Sequence, residues 1–347
     1  MGPLAGFRVV ELAGIGPAPF AGMLLADLGA EVFRVHRPDS GTAVDMPAGP
    51  PQVDLLNRGK RSVAADLKRP DDLAAVLDLA EQADAFIEGF RPGVAERLGV
   101  GPEVCLQRNP RLVYGRMTGW GQDGPLAQSA GHDINYISVS GVLHPIGRAG
   151  GPPQVPVNFL GDFGGGAMYL VAGILAALLE RTRSGRGQVV DAAIVDGTAH
   201  LSTMLLAMTA SGAWTDQRGA NLLDTGAPFY DVYETADGRY VSLGALEPRF
   251  YAAFVDRFGV ADLPDREDPA RWPALRAALA DRFAQRTQAE WVAEYAGTDA
   301  CVAPVLTPAE AAKHPHLAAR GSYLEWGGVL QPAPAPRFSR TPGKLRT

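Results

Sequence analysis

Strand and helix signals alternate through the first half of this chain, and that alternation limits its fold more than any other feature. Residues 7–12 form a short run of β-forming residues, and a Gly/Pro turn follows at residues 14–19. A helical stretch over residues 20–28 then leads to a second strand at residues 31–35. Such alternation favours a parallel sheet with helices on both faces, which is an α/β fold.

The same alternation continues to about residue 190. A helix opens at Pro70-Asp71-Asp72, with acidic residues at its start as the helix dipole prefers, and further strands are predicted at residues 85–87, 112–114 and 188–190. The apolar, Gly/Ala-rich stretch over residues 163–179 is slightly short for a membrane span. We interpret it as a buried core helix and expect no membrane partner.

A second kind of region begins near residue 221. Two β-runs are joined by Asp237-Gly238, which predicts a hairpin, and helices follow, the last opening with the capping box Thr287-x-x-Glu290. At 347 residues the chain is long enough for two domains. We predict a large domain over residues 1–220, completed by residues 321–347, and a small α+β domain over residues 221–320. The proline-rich end from Gly321 is predicted to hold no regular element.

Charge and cysteine content exclude several classes of protein. The formal net charge is −6 and the pI is about 5.6, which argues against a nucleic-acid partner. Cys105 and Cys301 are too few and too distant for a disulfide framework or a zinc site, and no other metal-ligand spacing is present. The first residues lack the charged-then-apolar order of a signal peptide, so we expect a cytoplasmic protein without a metal.

One short segment is strongly basic within this acidic chain. It holds two of only four lysines, and its cations outnumber its single carboxylate, Asp66, by five to one. Arg91 follows a predicted strand and Arg97 a predicted helix start, near the strand ends where open α/β sheets bind ligands. Since lysine is otherwise scarce, we favour a phosphate-binding segment over a solvated basic face. The five cations are Arg58, Lys60, Arg61, Lys68 and Arg69.

The turn after the first strand half-matches a dinucleotide-binding fingerprint. Gly14 and Gly16 are present, but Pro19 stands where the third glycine belongs. The acidic residue expected after the second strand is absent, and Arg37 lies near that place, where it would attract a ribose phosphate. The turn therefore predicts either an NADP-dependent oxidoreductase or simply a tight loop.

Two segments carry candidate acid–base groups. His132 and Asp133 are adjacent in a polar cluster that opens an apolar helical run, and Asp162 precedes a glycine-rich helix start. Free amide groups after Asp162 are expected to stabilise a developing oxyanion. Glu247, before Pro248, is a weaker candidate. The structural alternatives are helix caps for the carboxylates and a core histidine for His132.

Ten motifs occur in order from residue 4 to about residue 338, and together they resemble the alpha-methylacyl-CoA racemase family of the class III CoA-transferase (CaiB/BaiF) superfamily. This resemblance implies an interlocked homodimer, in which each chain has a Rossmann-like parallel-sheet large domain and a smaller α+β domain. The motifs are Glu11-Leu-Ala-Gly14, Ala26-Asp-Leu-Gly-Ala30, Arg58-Gly-Lys-Arg-Ser62, Thr118-Gly-Trp-Gly-Gln122, Gly131-His-Asp-Ile-Asn-Tyr136, Gly161-Asp-Phe-Gly-Gly165, Gly187-Gln-Val-Val-Asp191, Gly226-Ala-Pro-Phe-Tyr230, Gly244-Ala-Leu-Glu-Pro248 and Asp299-Ala-Cys-Val-Ala-Pro-Val305.

The resemblance also implies roles for individual residues. His132 and Asp162 match the two acid/base residues of the family, and Glu247 matches a glutamate supplied to the site by the partner chain. Arg91 and Arg97 fall where basic residues meet CoA phosphates. The stretch between Ser40 and Leu56 is longer than in the family pattern. Segments matching those that bind the CoA thioester contain Arg37, Ala65, Asp66, Leu67, Lys68, Gly131, Asp133, Ile134, Asn135 and Tyr136.

The implied activity is epimerisation of 2-methylacyl-CoA thioesters through an enolate, with CoA as part of the substrate and no separate cofactor. His132 would deprotonate one epimer and protonated Asp162 would reprotonate the opposite face. The main alternative is a class III CoA transferase, in which Asp162 forms a covalent intermediate. His132 favours the racemase, because a transferase needs no imidazole there. The same acid–base pair argues against a non-catalytic CoA-binding protein.

Overall fold

A computed structural model describes residues 2–38 and 51–346, and the chain divides into two compact units. The sheet unit comprises Met1–Val142, Pro156–Ser202 and Pro315–Thr347, and the second unit comprises Leu143–Val155 and Thr203–His314. The domain limits predicted at residues 220 and 320 stay a prediction. The two units are compact in the structure, and a domain must in addition fold independently. Most of the longer stretch noted between Ser40 and Leu56 lies outside the described residues.

Six parallel strands form the sheet of the sheet unit, which confirms the predicted α/β class. Their order is β3-β2-β1-β4-β5-β6, the Rossmann order, which reverses direction between β1 and β4. In such sheets ligands bind at the carboxyl ends of the strands near that reversal. The strands are β1 (Arg8–Leu12), β2 (Glu31–His36), β3 (Lys60–Ala64), β4 (Ala85–Glu88), β5 (Val113–Thr118) and β6 (Val189–Ala193).

Helices cover both faces of this sheet, as the alternation predicts. One face packs in a core with Val9, Leu25 and Ile174, and the other in a core with Phe86 and Tyr114. Side chains alternate along each strand, so successive residues such as Val9 and Val10 enter opposite cores. The helices are α1 (Pro17–Asp27), α2 (Pro70–Glu81), α3 (Val94–Arg97), α4 (Pro102–Arg108), α5 (Asp133–Val139), a π-helix (Phe159–Ala167) that continues into α6 (Met168–Ser184), and α7 (Ile194–Leu201).

The stretch Phe159–Ser184 is long and apolar enough to cross a membrane, judged by length and composition. In the structure, Leu170, Ile174 and Ala177 of α6 are buried in the core of the sheet unit. A Cβ on Gly115 of β5 would lie 2.8 Å from the Leu170 side chain, so helix and sheet approach closely there. This helix therefore packs as a core helix does.

The second unit has a three-stranded antiparallel sheet in the order β7-β8-β9 and an aromatic core around Phe254, Phe283 and Trp291. The predicted hairpin and capping box are both confirmed: Gly238 has φ 69°, and the Thr287 and Glu290 side chains cap each other's backbone. The elements are α8 (Thr203–Ala210), β7 (Tyr230–Glu234), β8 (Tyr240–Gly244), α9 (Pro248–Phe258), α10 (Trp272–Phe283), α11 (Gln288–Tyr295), β9 (Val302–Pro304) and α12 (Pro308–Ala311).

The C-terminal segment contains regular structure, so the prediction of none beyond Gly321 is wrong. Helix α13 (Pro315–Arg320) is followed by a hairpin of β10 (Tyr323–Trp326) and β11 (Val329–Pro332). Gly327 and Gly328 have φ of 61° and 77°, the conformation that a two-residue hairpin turn requires. The prolines lie at or beyond the end of β11, where they interrupt nothing.

Candidate active site

The start of α5 holds His132 in a fixed backbone position. His132 is the N-cap residue, and its backbone N–H donates to Asn135 Oδ1 at 3.0 Å. Tyr136, one turn further on, packs edge-to-face on Trp120 with ring centroids 4.8 Å apart and donates its hydroxyl to the Gly131 carbonyl. The segment is thus tied at both its backbone and its ring, while the His132 side chain stays exposed.

Asp162 lies in the π-helix, a rare geometry that commonly marks functional sites. Two glycines allow the π-helix to pack closely against α7. A Cβ on Gly165 would lie 2.4 Å from the Thr198 side chain, and a Cβ on Gly197 would lie 1.8 Å from the Gly165 carbonyl oxygen. The π-helix and α7 therefore approach more closely than any other residue would permit.

The carboxyl group of Asp162 lies against the turn after β1. A Cβ on Gly16 would be 3.2 Å from Asp162 Oδ2, and Asn158 Nδ2 donates to the same oxygen at 3.2 Å. Burial raises the pKa of Asp162, and the nearby charge of Asp133 raises it further. The hydrogen bond from Asn158 and the proximity of His132 act in the opposite direction.

His132 and Asp162 lie near each other in the structure, although they are far apart in the sequence. The link between them is Asp133, which is 29 positions before Asp162. Asp133, the neighbour of His132, accepts the backbone N–H of Asp162 at 2.6 Å through Oδ1. His132 is close enough to Asp162 to lower the pKa of its carboxyl group. Two side chains that can each take or give a proton thus share one site. Glu247 is the exposed N-cap residue of α9 in the second unit.

The amide groups that follow Asp162 are already used, so the prediction that they stabilise an oxyanion is wrong. The Asp162 N–H is donated to Asp133. The N–H of Phe163 is donated to the Asn158 carbonyl at 3.4 Å, five residues back, and that of Met168 to the Phe163 carbonyl. A π-helix pairs its own amides in this way and leaves none at this point for a ligand.

The predicted CoA-binding segments share the carboxyl edge of the sheet. Arg37 follows β2, Ala65 to Lys68 follow β3, and Arg91 follows β4. The Ala65 N–H donates to the His36 carbonyl at 2.8 Å, which continues the pairing of β3 with β2 into the loops. Their binding role stays a prediction, but these loops and the turn at Gly16 lie at one edge of one sheet.

Comparisons with known proteins agree with this arrangement. A family model described as CoA-transferase family III matches residues 4–347. The chain belongs to CoA-transferase family III. It is 49% identical to alpha-methylacyl-CoA racemase of Mus musculus and 46% identical to that of Homo sapiens, in each case over 98% of this chain and 87% of the relative. A CAIB/BAIF family protein from Brucella suis has 30% identity and a TM-score of 0.85, covering 99% of this chain and 94% of that one.

Membership of this family agrees with the resemblance found in the sequence. The basic segment over residues 58–69, however, is not as a whole the phosphate-binding segment that the sequence predicts. Lys60 is 1% exposed and pairs with the fully buried Glu11 of β1 at 2.7 Å. Arg58 pairs with Asp27 and donates to Gln331 Oε1 at 2.9 Å. Arg61 pairs with Glu31. The phosphate-binding prediction is therefore wrong for Lys60 and Arg58, which pair with buried carboxylates of the fold, and it stays a prediction for the exposed cations of the segment.

Strand order explains the place of Arg61, one of these cations. β3 is an edge strand, and the exposed charge of Arg61 is a usual protection of such an edge against pairing with another chain, whereas Lys60 neutralises the buried Glu11. Lys68 lies beyond the strand, is exposed, and makes no ion pair within 4.0 Å in the part of the chain that the structure describes. It remains the member of the segment best placed for a ligand phosphate.

The turn at Gly16 also separates this family member from a dinucleotide-binding enzyme. The place beside Gly16, where a pyrophosphate would approach the backbone, is taken by the Asp162 carboxyl group. A carboxylate there repels a phosphate, so the geometry disfavours the NADP-dependent alternative. Within residues 2–38 and 51–346, no group of three or more His, Cys, Asp and Glu side chains could hold a metal ion.

Sequence reasoning missed two supports of the site. Asn158 donates to Asp162, yet nothing in its surroundings in the sequence marks it. Gly119 is a second support, because a Cβ there would overlap the Tyr136 ring at 2.0 Å. The signal for Gly119 was its place in Thr118-Gly-Trp-Gly-Gln122, where two glycines flank the tryptophan that Tyr136 contacts.

Proposed function

We propose that this enzyme interconverts the two epimers of 2-methylacyl-CoA thioesters by removing and returning the proton at C2. The observation that carries the proposal is the convergence of His132 and Asp162 through the Asp133–Asp162 hydrogen bond. Relatives named alpha-methylacyl-CoA racemase, at 46% and 49% identity, support the same reaction.

The reaction needs a base on one face of C2 and an acid on the other. A proton next to a thioester carbonyl is weakly acidic, so its removal requires a positioned base. In one direction His132 takes the proton and protonated Asp162 returns one from the opposite face; in the other direction the roles exchange. The raised pKa of Asp162 supports this scheme, because the acid must still hold its proton when the enolate forms.

The enolate oxygen requires donors other than the amides after Asp162. In the first turn of α5, the N–H groups of Asp133 and Ile134 donate to no protein acceptor within the described residues. They are adjacent to the His132 backbone, and therefore close to the base. We propose that they stabilise the enolate oxygen, a contribution that commonly amounts to about 3 kcal/mol for one such donor.

Recognition of the CoA moiety is assigned to the carboxyl edge of the sheet. Arg37, Lys68 and Arg91 are exposed there, each after a different strand, and Arg97 follows on α3. Several separate cations suit a ligand with several phosphate groups. CoA enters as part of the substrate, so the proposed reaction uses no separate cofactor.

The chain is further proposed to act as a homodimer. Large apolar side chains are exposed in the sheet unit, including Val139, Phe159 and Leu179, which are 64–69% accessible. The second unit exposes Met204 and Leu206 on α8. Exposed apolar side chains in this number favour burial against another chain. Sedimentation equilibrium should give twice the 36.6 kDa of one chain, and a mass of one chain would contradict the dimer.

Deuterium incorporation separates the racemase from the transferase. A single epimer of a 2-methylacyl-CoA is incubated with the enzyme in deuterium oxide, without any free carboxylic acid. We expect deuterium at C2 and an epimer ratio that moves towards about one, because the two epimers have nearly equal free energy. Absence of both would contradict the proposal.

The transferase alternative predicts a different result, and the name of the family is the observation that favours it. It requires a free acid as acceptor and a covalent intermediate on Asp162. Hydroxylamine or borohydride added during turnover would then inactivate the enzyme. We expect epimerisation to be unaffected by either reagent.

A further inference from the structure

The carboxylate of Asp133 faces the interior of the sheet unit, although Asp133 belongs to a segment predicted to contact CoA. Its residue is only 7% exposed. Oδ1 accepts the N–H of Asp162 at 2.6 Å, and the N–H of Gly161 is also directed to this carboxylate. A Cβ on Gly161 would lie 2.3 Å from Oδ1, so this contact depends on glycine at position 161. Any contact of Asp133 with CoA is thus left to its backbone.

If Asp133 only accepted these two N–H groups to hold the backbone, it would not need a charge. Asparagine could accept the same N–H groups without the cost of burying a carboxylate. In addition, Oδ2 of Asp133 is buried and has no hydrogen-bond partner within the described residues. A half-satisfied buried carboxylate destabilises the fold, which indicates that its charge serves the neighbouring group. That group is Asp162.

We propose that Asp133 is a positioning residue of the acid–base pair, which fixes the Asp162 backbone beside Gly16 and sets the electrostatic environment of its carboxyl group. The inference rests on the proposed racemase function. In that function the negative charge of Asp133 helps Asp162 to keep the proton that it must give to the enolate. Asp133 itself touches neither the proton nor C2 through its side chain.

Other titratable and charged groups also lie near Asp162. His132 and Tyr136 approach it from the start of α5, and Arg91 lies near Tyr136 from the loop after β4. Asn158, on the same π-helix, is neutral. Helix α1 presents uncharged residues in its first turn, and α7 meets the π-helix at Gly197 and Thr198. Asp133 is therefore the negative charge whose removal acts most directly on Asp162.

The test compares Asp133→Asn with Asp133→Ala in the full-length enzyme. The asparagine variant keeps an oxygen for the two N–H groups and removes the charge. We expect the acid limb of its kcat/KM profile to move to lower pH by about half a unit to one unit, the range over which nearby charges act. The alanine variant loses the backbone contact, and we expect kcat to fall about a hundredfold with KM within about threefold.

Asp84→Asn is the matched control. Asp84 Oδ2 also accepts a backbone N–H, that of Arg8 at 2.9 Å, but at the opposite end of the sheet. It should keep the wild-type pH profile even if its Tm falls. An unchanged acid limb in Asp133→Asn would overturn the proposal whether or not the alanine variant folds. Failure of the racemase function itself would be seen separately, as absence of deuterium incorporation in the wild-type enzyme.

Discussion

The basic segment over residues 58–69 and the acid–base site around Asp162 show opposite relations between sequence and function. In the first, five cations are neighbours in the sequence, yet Lys60 and Arg58 are used by Glu11 and Asp27 to hold the fold. In the second, His132 and Asp162 are distant in the sequence but close enough in the structure for His132 to lower the pKa of Asp162. Like charges adjacent in a sequence can each be neutralised by a different buried partner, whereas a reactive site requires different groups to converge.

The largest expected effect follows loss of a proton-transfer group. His132→Ala and Asp162→Asn should each lower the rate of epimerisation by about a thousandfold or more, because one of the two faces of C2 then lacks its proton-transfer group. The measurement is the epimer ratio over time by chiral chromatography of the released acid. The His132 side chain is exposed, so its variant should fold normally. Near-wild-type activity in His132→Ala would contradict the two-base mechanism.

The second effect concerns stability instead of chemistry. Lys60→Met leaves Glu11 buried without its partner, and removal of one member of a buried pair costs about 3–5 kcal/mol. Denaturant unfolding should show this loss, while the KM for acyl-CoA of the folded fraction stays unchanged. Burial already lowers the pKa of Lys60 and raises that of Glu11, so the pair is under strain from desolvation.

The double variant Glu11→Gln with Lys60→Met is the matched control, because it removes both charges. It should recover part of the stability that Lys60→Met loses. If Lys60→Met instead raised KM without loss of stability, the segment would be a binding site after all and the contrast between the two regions would fail.

A third, smaller effect tests Lys68, the exposed cation of the segment for which the described residues provide no ion pair. Lys68→Ala should raise the KM for acyl-CoA about tenfold, the lower end of what one charge-assisted hydrogen bond contributes, with kcat unchanged. Initial rates at several ionic strengths would show the difference shrinking as salt rises. Lys313→Ala, which removes an exposed lysine of the second unit, should leave KM as it is. Equal KM values for both variants would remove Lys68 from the binding site.

The sequence predicted the buried strands and the two acid–base residues, but not what supports them. β4 and β5 are buried on both faces and each begins with apolar residues, so their pattern predicts a strand. β3 is not predicted because it begins with Lys60 and Arg61 and has only Val63 and Ala64 as apolar residues, too short a run for a strand signal. The π-helix depends on the close approach of Gly165 and Gly197, a tertiary contact that local patterns do not report. Asn158 was missed for the same reason.

The smallest expected effect is a shift of the pKa of Asp162 caused by one of its neighbours. Asn158 donates to Asp162 Oδ2 and stabilises the ionised carboxylate, so Asn158→Ala should raise the pKa of Asp162. The mechanism needs one proton on the pair of His132 and Asp162. When a second proton binds, no base remains, so kcat/KM falls as the pH drops through the pKa of Asp162. The acid limb should therefore move to higher pH, by about half a unit, opposite in sign to the shift expected for Asp133→Asn.

Opposite shifts from two neighbours of one carboxyl group distinguish tuning from general disruption. A loosened site would change both profiles in the same direction or lower kcat without moving either limb. Shifts of the same sign in the two variants would contradict the assignment of the acid limb to Asp162. Shifts of opposite sign would show that convergent neighbours of Asp162 define the site, in contrast to the basic segment, where Lys60 and Arg58 pair with buried carboxylates of the fold.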